Sequence, residues 1–339
     1  MKYLITGHTG FKGAWLSVIL KELGHELHGY ALDPEPGSLF DTAELSKLYA
    51  SDIRADVRDA AALQRAISQV NPDVVIHLAA QALVREGYRK PKETYETNFN
   101  GTLNLLCSLD NLSNLKAALI VTTDKVYEDS NKPGGCEESD PLGGLDPYSA
   151  SKAAADILSQ SWAESNPHLP IAIARAGNVI GGGDRSVDRL LPDLIRAFSS
   201  GQTAEVRNPK SIRPWQHVMD CLSGYLSLVD SVANKKTRGE WNFGPENKDH
   251  LTVEAIVELA SGFWGAGASW RSKSSQPALA ESPTLLLNID KARKGLAFAT
   301  KFSAAQAVQS TMEWELDVIS GVAPIDATRL QVIKYLKLS

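Results

Sequence analysis

The sequence predicts an α/β protein with a doubly wound parallel sheet and a smaller C-terminal α/β lobe. Two observations carry this prediction: short apolar runs bounded by turn residues recur along the first half of the chain, and helix-like segments lie between them. Strands that alternate with helices favour a parallel sheet that is covered on both faces. The apolar runs lie at residues 3–5, 26–31, 74–77, 117–122 and 171–175.

A glycine-rich loop follows the first run, and the helix-like segment 14–23 follows the loop. Glycines between a strand and a helix permit a tight turn and let backbone N–H groups approach a pyrophosphate at the helix N-terminus. The loop therefore predicts a dinucleotide site, although a purely structural turn is the alternative. The predicted cofactor contacts are Gly7, Thr9, Gly10, Phe11, Lys12 and Gly13.

Asp33 lies at the end of the second predicted strand, twenty residues after Gly13. A carboxylate at this place accepts hydrogen bonds from an adenosine ribose and repels a 2'-phosphate, so the sequence favours NAD over NADP. Two alternatives remain open: Asp33 only begins the turn at 34–37, or Lys12 or a nearby arginine offsets the charge of a 2'-phosphate.

The fourth run ends in the polar segment Thr122-Thr123-Asp124-Lys125, and Tyr148 opens the next helix-like segment. Lys152 lies four residues after Tyr148, so the two side chains share one face of that helix and the cation can lower the pKa of the phenol. The pair predicts a base for the oxidation of an alcohol. Thr123 is expected to hydrogen-bond the same alcohol oxygen.

After residue 175 the regular alternation ends: 181–183 reads as a loop, and 192–198, 252–264 and 304–319 read as helices. We predict a dinucleotide-binding domain at residues 1–175 with a return segment near 213–236. Residues 176–212 and 237–339 are expected to form a lobe over the carboxyl edge of the sheet, where it would complete a substrate cleft.

Composition excludes several classes of function. The 339 residues carry a net charge of −5, so we expect neither nucleic acid nor an anionic membrane as a partner. No apolar run resembles a signal peptide or a membrane span, and we expect a cytoplasmic protein. Cys107, Cys136 and Cys221 are far apart, so we expect isolated thiols, no disulfide and no metal site.

Six stretches together resemble the extended short-chain dehydrogenase/reductases, and within them the CDP-glucose 4,6-dehydratases. They are residues 7–16, 77–85, 123–125, 144–152, 175–184 and 213–218. The resemblance implies that Tyr148 and Lys152 flank the nicotinamide ribose. It further implies cofactor contacts at Asp56, Val57, Ala79, Ala80 and Gln81, and substrate contacts at Arg85, Asn178, Arg189, Arg207, Arg213 and His217. The guanidinium groups suit the oxygens of a nucleoside diphosphate.

The resemblance also implies a reaction: oxidation of a nucleotide hexose at C4, loss of water across C5 and C6, and return of the hydride to C6. Asp124 would protonate the departing hydroxyl. Lys125 would accept the C5 proton, or would stabilise the enolate as a cation. The catalytic set is thus Thr123, Asp124, Lys125, Tyr148 and Lys152.

Three questions stay open at the level of sequence. A nucleotide-sugar 4-epimerase or reductase of the same family, or a non-catalytic dinucleotide-binding protein, is the alternative to a dehydratase. The nucleotide base is undetermined. A homodimer through the helix-like segments 98–109 and 149–164 is expected by resemblance, whereas an intrachain contact would use the same apolar spacing.

Overall fold

The structure, a computed structural model, describes residues 1–110, 112–129, 131–273 and 285–338. Part of the predicted lobe, residues 274–284 and Ser339, thus lies outside the described residues. The strands are β1 Lys2–Thr6, β2 Glu26–Ala31, β3 Ser51–Arg54, β4 Val74–His77, β5 Ala117–Val121, β6 Ile171–Ala176, β7 Val179–Ile180, β8 Ala204–Val206, β9 Ile212–Pro214, β10 Gln216–His217, β11 Gly239–Phe243, β12 His250–Thr252 and β13 Trp270–Ser272.

Seven of these strands form one sheet in the order β11-β6-β5-β4-β1-β2-β3, and every neighbouring pair is parallel. The chain order reverses between β1 and β4, which is where open α/β sheets bind their ligands. The predicted doubly wound parallel sheet is confirmed.

Helices connect the strands and cover both faces of the sheet. They are α1 Phe11–Glu22, α2 Leu39–Thr42, α3 Ala60–Val70, α4 Val84–Arg89, α5 Pro91–Tyr95, α6 Gly101–Leu109, α7 Pro147–Ser165, α8 Leu190–Ser199, α9 Val218–Ala233, α10 Val253–Trp264, α11 Asp290–Leu296, α12 Ala304–Ile319 and α13 Pro324–Leu336. Among the described residues, no helix combines the length and the apolar character that a membrane crossing requires.

Alternate residues of the central strands enter two separate cores. In β1, Tyr3 and Ile5 face the core formed with α1, α9 and α13, whereas Leu4 faces the core formed with α3, α6 and α7. Because side chains of a strand alternate between the two faces, an uninterrupted apolar run is what a strand buried on both sides requires. A third core joins α8, α10 and α12 in the lobe.

The boundary between domain and lobe differs from the prediction. The return segment includes α9, which packs under the sheet as expected, but two later elements that were assigned to the lobe also belong to the sheet layers. β11 pairs with β6 and completes the sheet, and Tyr335 of α13 is buried in the same core as α1. Burial in the same core assigns β11 and α13 to the sheet domain. The predicted boundary rested on the regular alternation of strands and helices, which ends before these two elements.

Candidate active site

A cavity of about 1000 Å³ lies at the carboxyl edge of the sheet, between the glycine loop and the lobe. Residues from both parts of the chain line it. Of the residues predicted from the sequence, those that line the cavity are Gly7, Thr9, Gly10, Phe11, Lys12, Gly13, Asp56, Val57, Ala79, Ala80, Gln81, Arg85, Thr123, Asp124, Lys125, Tyr148, Lys152, Asn178, Arg189, Arg207 and Arg213. Asp33 and His217 are not among the lining residues.

At two of the three glycines of the loop, neighbouring backbone atoms leave no space for a Cβ atom. Gly7 has a φ of +71°, and a Cβ there would lie 2.5 Å from the backbone nitrogen of Ala79. A Cβ at Gly13 would lie 2.5 Å from the carbonyl oxygen of Gly7. A Cβ at Gly10 would lie 3.4 Å from the carbonyl oxygen of Gly7, which is an ordinary contact. Helix α1 begins directly after Gly10, an N-cap residue with no side chain to cap the helix. The loop therefore fits a pyrophosphate held by backbone N–H groups.

The end of the cavity nearest β2 and β3 is where an adenosine would lie. Asp33 follows β2 as expected but is exposed outside the cavity, whereas Leu32 and Asp56 line it. Asp56 forms an ion pair of 2.6 Å with Arg58, which lowers the pKa of its carboxyl group. Asp56 is thus an anion at this end of the cavity.

Tyr148 lies in the first turn of α7. Asp146 caps the helix by accepting a hydrogen bond of 3.0 Å from the backbone N–H of Ser149, and Pro147 occupies the first helical position. Burial raises the pKa of the Tyr148 phenol, whereas its hydrogen bond with Thr123 and the charge of Arg189 lower it. The sequence led us to expect a lowered pKa. In this structure burial outweighs the hydrogen bond with Thr123 and the charge of Arg189.

Lys152 lies one helical turn after Tyr148 and is 5% exposed. Its Nζ donates a 2.8 Å hydrogen bond to the carbonyl oxygen of Val121, at the end of β5. Burial, together with the charge of Lys12, lowers the pKa of Lys152 to about 8. Lys12 itself donates a 3.1 Å hydrogen bond to the hydroxyl of Tyr225 in α9.

Thr123, Asp124 and Lys125 turn into the cavity directly after β5. The Thr123 hydroxyl donates a 3.0 Å hydrogen bond to Oδ1 of Asp124, while Oδ2 is buried with no hydrogen-bond partner among the described residues. A Cβ at Gly177 would lie 1.6 Å from that Oδ2, so only glycine leaves space for the carboxylate. Lys125 is half-buried and lines the same cavity.

A buried ion pair holds the segment that carries Thr123, Asp124 and Lys125 in place. Asp156 of α7 accepts two hydrogen bonds from the Arg175 guanidinium, at 2.8 and 2.9 Å, and one of 2.8 Å from the Thr122 hydroxyl. Arg175 also donates to the hydroxyl of Tyr127 at 2.9 Å. The pair thus joins α7, β6 and both ends of the segment that carries Asp124.

Asn98 is a second support that the sequence did not reveal. Its amide group receives a hydrogen bond from the backbone N–H of Gln81 at 2.8 Å and donates to the backbone oxygen of Gln81 at 3.0 Å. It also donates to the Ser151 hydroxyl at 2.9 Å, and Ser151 donates to the backbone oxygen of Tyr148 at 2.8 Å. Asn98 therefore fixes the loop after β4 relative to Tyr148.

On the opposite wall of the cavity, three arginines lie within ion-pair distance of carboxylates. Arg85 and Arg207 both approach Asp188, at 3.1 and 3.4 Å, and Arg189 lies 3.9 Å from Asp184. The fourth cation of this wall, Arg213, donates a 2.8 Å hydrogen bond to the backbone oxygen of Ile212.

Asn178 faces the cavity between the catalytic and the arginine ends. Its backbone has a φ of +37°, which asparagine tolerates better than most residues, and its Nδ2 is buried without a hydrogen-bond partner in the described part of the chain. An unpaired buried donor that faces a cavity is available to a ligand oxygen.

The structure corrects the prediction for His217. This side chain is 0% exposed, and it accepts a 3.2 Å hydrogen bond from the backbone N–H of Met219 as the N-cap of α9. The ring packs edge-on against Trp15 and Phe302, and burial lowers the pKa of His217 to about 3. His217 thus caps a helix and does not reach the cavity.

Comparisons with known proteins agree with this geometry. The model of the "NAD dependent epimerase/dehydratase family" matches residues 3–244. A CDP-glucose 4,6-dehydratase from Salmonella typhimurium is 39% identical over 346 residues, which cover 99% of this chain and 96% of the relative.

Two solved structures share the fold. A dTDP-glucose 4,6-dehydratase from Bacillus anthracis in complex with NAD is 21% identical and has a TM-score of 0.78, over 97% of this chain and 99% of that one. A UDP-glucuronic acid 4-epimerase from Bacillus cereus is 23% identical with a TM-score of 0.80, over 94% of this chain and 100% of that one. The predicted resemblance and the NAD cofactor are confirmed: the chain belongs to the NAD dependent epimerase/dehydratase family.

Proposed function

We propose that this protein is a nucleotide-sugar 4,6-dehydratase and that its substrate is CDP-glucose. The observation that carries the proposal is the buried Asp124 carboxylate, whose Oδ2 has no partner in the described chain and lies beside Thr123 and Tyr148. Water elimination needs an acid next to the group that oxidises C4, whereas epimerisation expels no water. The 39% identity to a CDP-glucose 4,6-dehydratase supports this reaction and this nucleotide.

The reaction begins at the C4 hydroxyl of the sugar. Tyr148 takes the hydroxyl proton as a phenolate, a form that burial disfavours and that its hydrogen bond with Thr123 and the charge of Arg189 favour. Thr123 hydrogen-bonds the same oxygen of the sugar. Bound NAD+ supplies the hydride acceptor for C4 and later the hydride that C6 receives. Lys152 carries a positive charge at neutral pH, because its pKa is about 8, and it would lie near the nicotinamide ribose when the cofactor is bound.

Elimination follows from the new ketone. The C4 carbonyl acidifies the C5 proton, which Lys125 accepts in its neutral form. Asp124 gives a proton to the C6 hydroxyl, which leaves as water and creates a double bond between C5 and C6. Hydride addition at C6 and a proton at C5 then yield the 4-keto-6-deoxy sugar, so the net change is the loss of one water.

The first experiment is mass spectrometry after incubation with CDP-glucose, and with TDP-glucose and UDP-glucose in separate tubes. Loss of one water from CDP-glucose is expected, and Tyr148→Phe and Asp124→Asn are expected to lower kcat by about 10²- to 10⁴-fold, the usual contribution of a general acid or base. The matched control is Asp129→Asn, an exposed acid of the same segment. A change without loss of mass would contradict the dehydratase and favour the epimerase.

The role of Lys125 has its own test. In D₂O the wild-type product is expected to carry deuterium at C5, and Lys125→Met is expected to suppress both the elimination and the exchange. Deuterium exchange at C5 that is retained in Lys125→Met would favour the electrostatic role.

We also propose a homodimer in the cytoplasm. Exposed apolar side chains lie on helices that pack against one another: Tyr88 on α4, Tyr95 on α5 and Ile157 on α7 are 45%, 41% and 51% exposed. A second copy of the chain that packs there would bury them. A sedimentation mass of one chain would contradict the dimer.

A further inference from the structure

In the cavity, one carboxylate lies close to two arginines that come from different parts of the fold. Oδ1 of Asp188 lies 3.1 Å from Nη1 of Arg85 and 3.4 Å from Nη2 of Arg207. Arg85 is on α4, next to the loop after β4, whereas Arg207 follows β8 in the lobe. The two guanidinium groups therefore converge on a single anionic oxygen.

The backbone of Asp188 holds the carboxylate in this place. Asp188 lies in the loop between β7 and α8 and has a φ of +60°, a conformation that few residues other than glycine, asparagine and aspartate adopt readily. Both arginines and Asp188 line the cavity, and the side chain of Asp188 is 28% exposed. The carboxylate is thus accessible to an incoming anion.

We propose that Asp188 occupies, in the free protein, the position of a substrate phosphate oxygen between Arg85 and Arg207, and that a nucleoside diphosphate displaces it. The inference rests on the proposed function for the presence of a diphosphate. Guanidinium groups bind carboxylate and phosphate oxygens with the same geometry, so the two anions compete for the same donors. Asp188 would then set the affinity and the selectivity of the diphosphate site.

Selectivity follows from the charge of the competitor. A diphosphate carries several oxygens and more than one negative charge, so it can satisfy both arginines and still make contacts elsewhere in the cavity. A small anion such as inorganic phosphate gains only what Asp188 already supplies. Displacing Asp188 costs either anion the same free energy, so a small anion is left with little net gain, whereas a diphosphate keeps the free energy of its further contacts.

The test is the substitution Asp188→Asn, measured by calorimetric titration with CDP, inorganic pyrophosphate and inorganic phosphate. Asparagine has nearly the same volume and tolerates a positive φ, so the variant changes the charge and keeps the loop. The substitution removes two partly exposed ion pairs that compete with the ligand, so we expect about 2- to 30-fold tighter binding of CDP. Phosphate binding is expected to gain by a similar factor.

The matched control is Asp193→Asn. Asp193 lines the same cavity and pairs with Arg196. Within the described residues it forms no ion pair with Arg85 or Arg207, although burial raises its pKa and the charge of Arg85 lowers it. The substitution of Asp193 removes one negative charge from the same wall of the cavity. We expect it to change the dissociation constant of CDP by less than about 2-fold, as for an ordinary surface ion pair. A double variant that combines Asp188→Asn with Arg207→Gln should lose most of the gain.

Each outcome decides the proposal. CDP binding that is unchanged or weaker in Asp188→Asn, or equally improved in Asp193→Asn, overturns it. If the wild type converts CDP-glucose while Asp188→Asn shows no gain, this inference fails and the proposed function stands. If neither protein binds CDP, TDP, UDP or pyrophosphate, the diphosphate site fails together with the proposed function.

Discussion

The charged groups at the two ends of the cavity differ in burial: those at the catalytic end are buried, whereas those at the arginine end are partly exposed and form ion pairs. At the catalytic end, Tyr148, Lys152 and Asp124 are 8%, 5% and 2% exposed, and burial is the largest cause of the shifted pKa values of Tyr148 and Lys152. At the arginine end, the side chains of Arg85 and Arg207 are 42% and 36% exposed, and both approach one carboxylate.

This difference predicts different consequences of substitution. Interactions in a dry, buried site are large, because water neither screens nor replaces them. Partly exposed ion pairs are screened and contribute little. Changes at the catalytic end should therefore reduce kcat strongly or shift stability, whereas changes at the arginine end should mainly alter affinity.

The largest effect is expected for Gly177→Ala. The new Cβ would collide with Oδ2 of Asp124, so the carboxylate must leave its position beside Thr123. We expect kcat for water loss to fall by about 10²-fold or more, as for the loss of a general acid. The matched control is Gly244→Ala, whose Cβ would have its nearest neighbour at 3.6 Å. A Gly177→Ala enzyme with normal kcat would contradict the placement of Asp124.

The next effect is expected for Lys152→Met, which should lower kcat and yet stabilise the fold at neutral pH. Because the pKa of Lys152 falls from 10.5 to about 8 on folding, the unfolded chain binds more protons between these values, and the stability of the wild type rises with pH there. Below pH 8 the buried ammonium carries its full penalty. The loss of its hydrogen bond to Val121 offsets part of the gain.

We expect Lys152→Met to raise the free energy of unfolding by about 1 to 3 kcal/mol at pH 7, since one pKa unit corresponds to about 1.4 kcal/mol. The advantage over the wild type should shrink as the pH approaches 10. Urea denaturation at several pH values measures both quantities. A variant that is less stable than the wild type at pH 7 would show that burial of Lys152 carries no net penalty.

The smallest effect is expected for Arg207→Gln. Its loss should raise KM for CDP-glucose by about 3- to 10-fold and change kcat less than about 2-fold, because an exposed guanidinium contributes screened binding energy. The control is Arg271→Gln in the same lobe, an exposed residue that pairs with Glu205 and does not line the cavity. If Arg207→Gln lowered kcat as strongly as Gly177→Ala, the contrast between the two ends would not hold.

Much of the fold could be predicted because its signals are local. β2 and β4 have the predicted bounds, as does α12, since each corresponds to a continuous apolar or amphipathic run. β3 was missed because it is a half-buried edge strand with the polar sequence Ser-Asp-Ile-Arg. β11 and α13 were missed because they lie beyond the regular alternation of strands and helices.

The candidate site was predictable in part for the same reason. The glycine loop and the pair Tyr148 and Lys152 are compact motifs, and both line the cavity. Asp188 and Asn98 carry no such signal, because their partners are distant in sequence and become neighbours only through the fold. His217 lies within a recognisable motif, but its neighbours bury it.

The sequence by itself determined the alternation of strands and helices, the family and the chemical type of the site, because periodicity and short motifs depend on neighbouring residues. Only the tertiary structure decided which groups are buried, which are paired and which are left open. Long-range packing raises the pKa of Tyr148, lowers that of Lys152 and leaves Oδ2 of Asp124 without a partner in the described chain. Desolvation and hydrogen bonding are properties of the assembled fold.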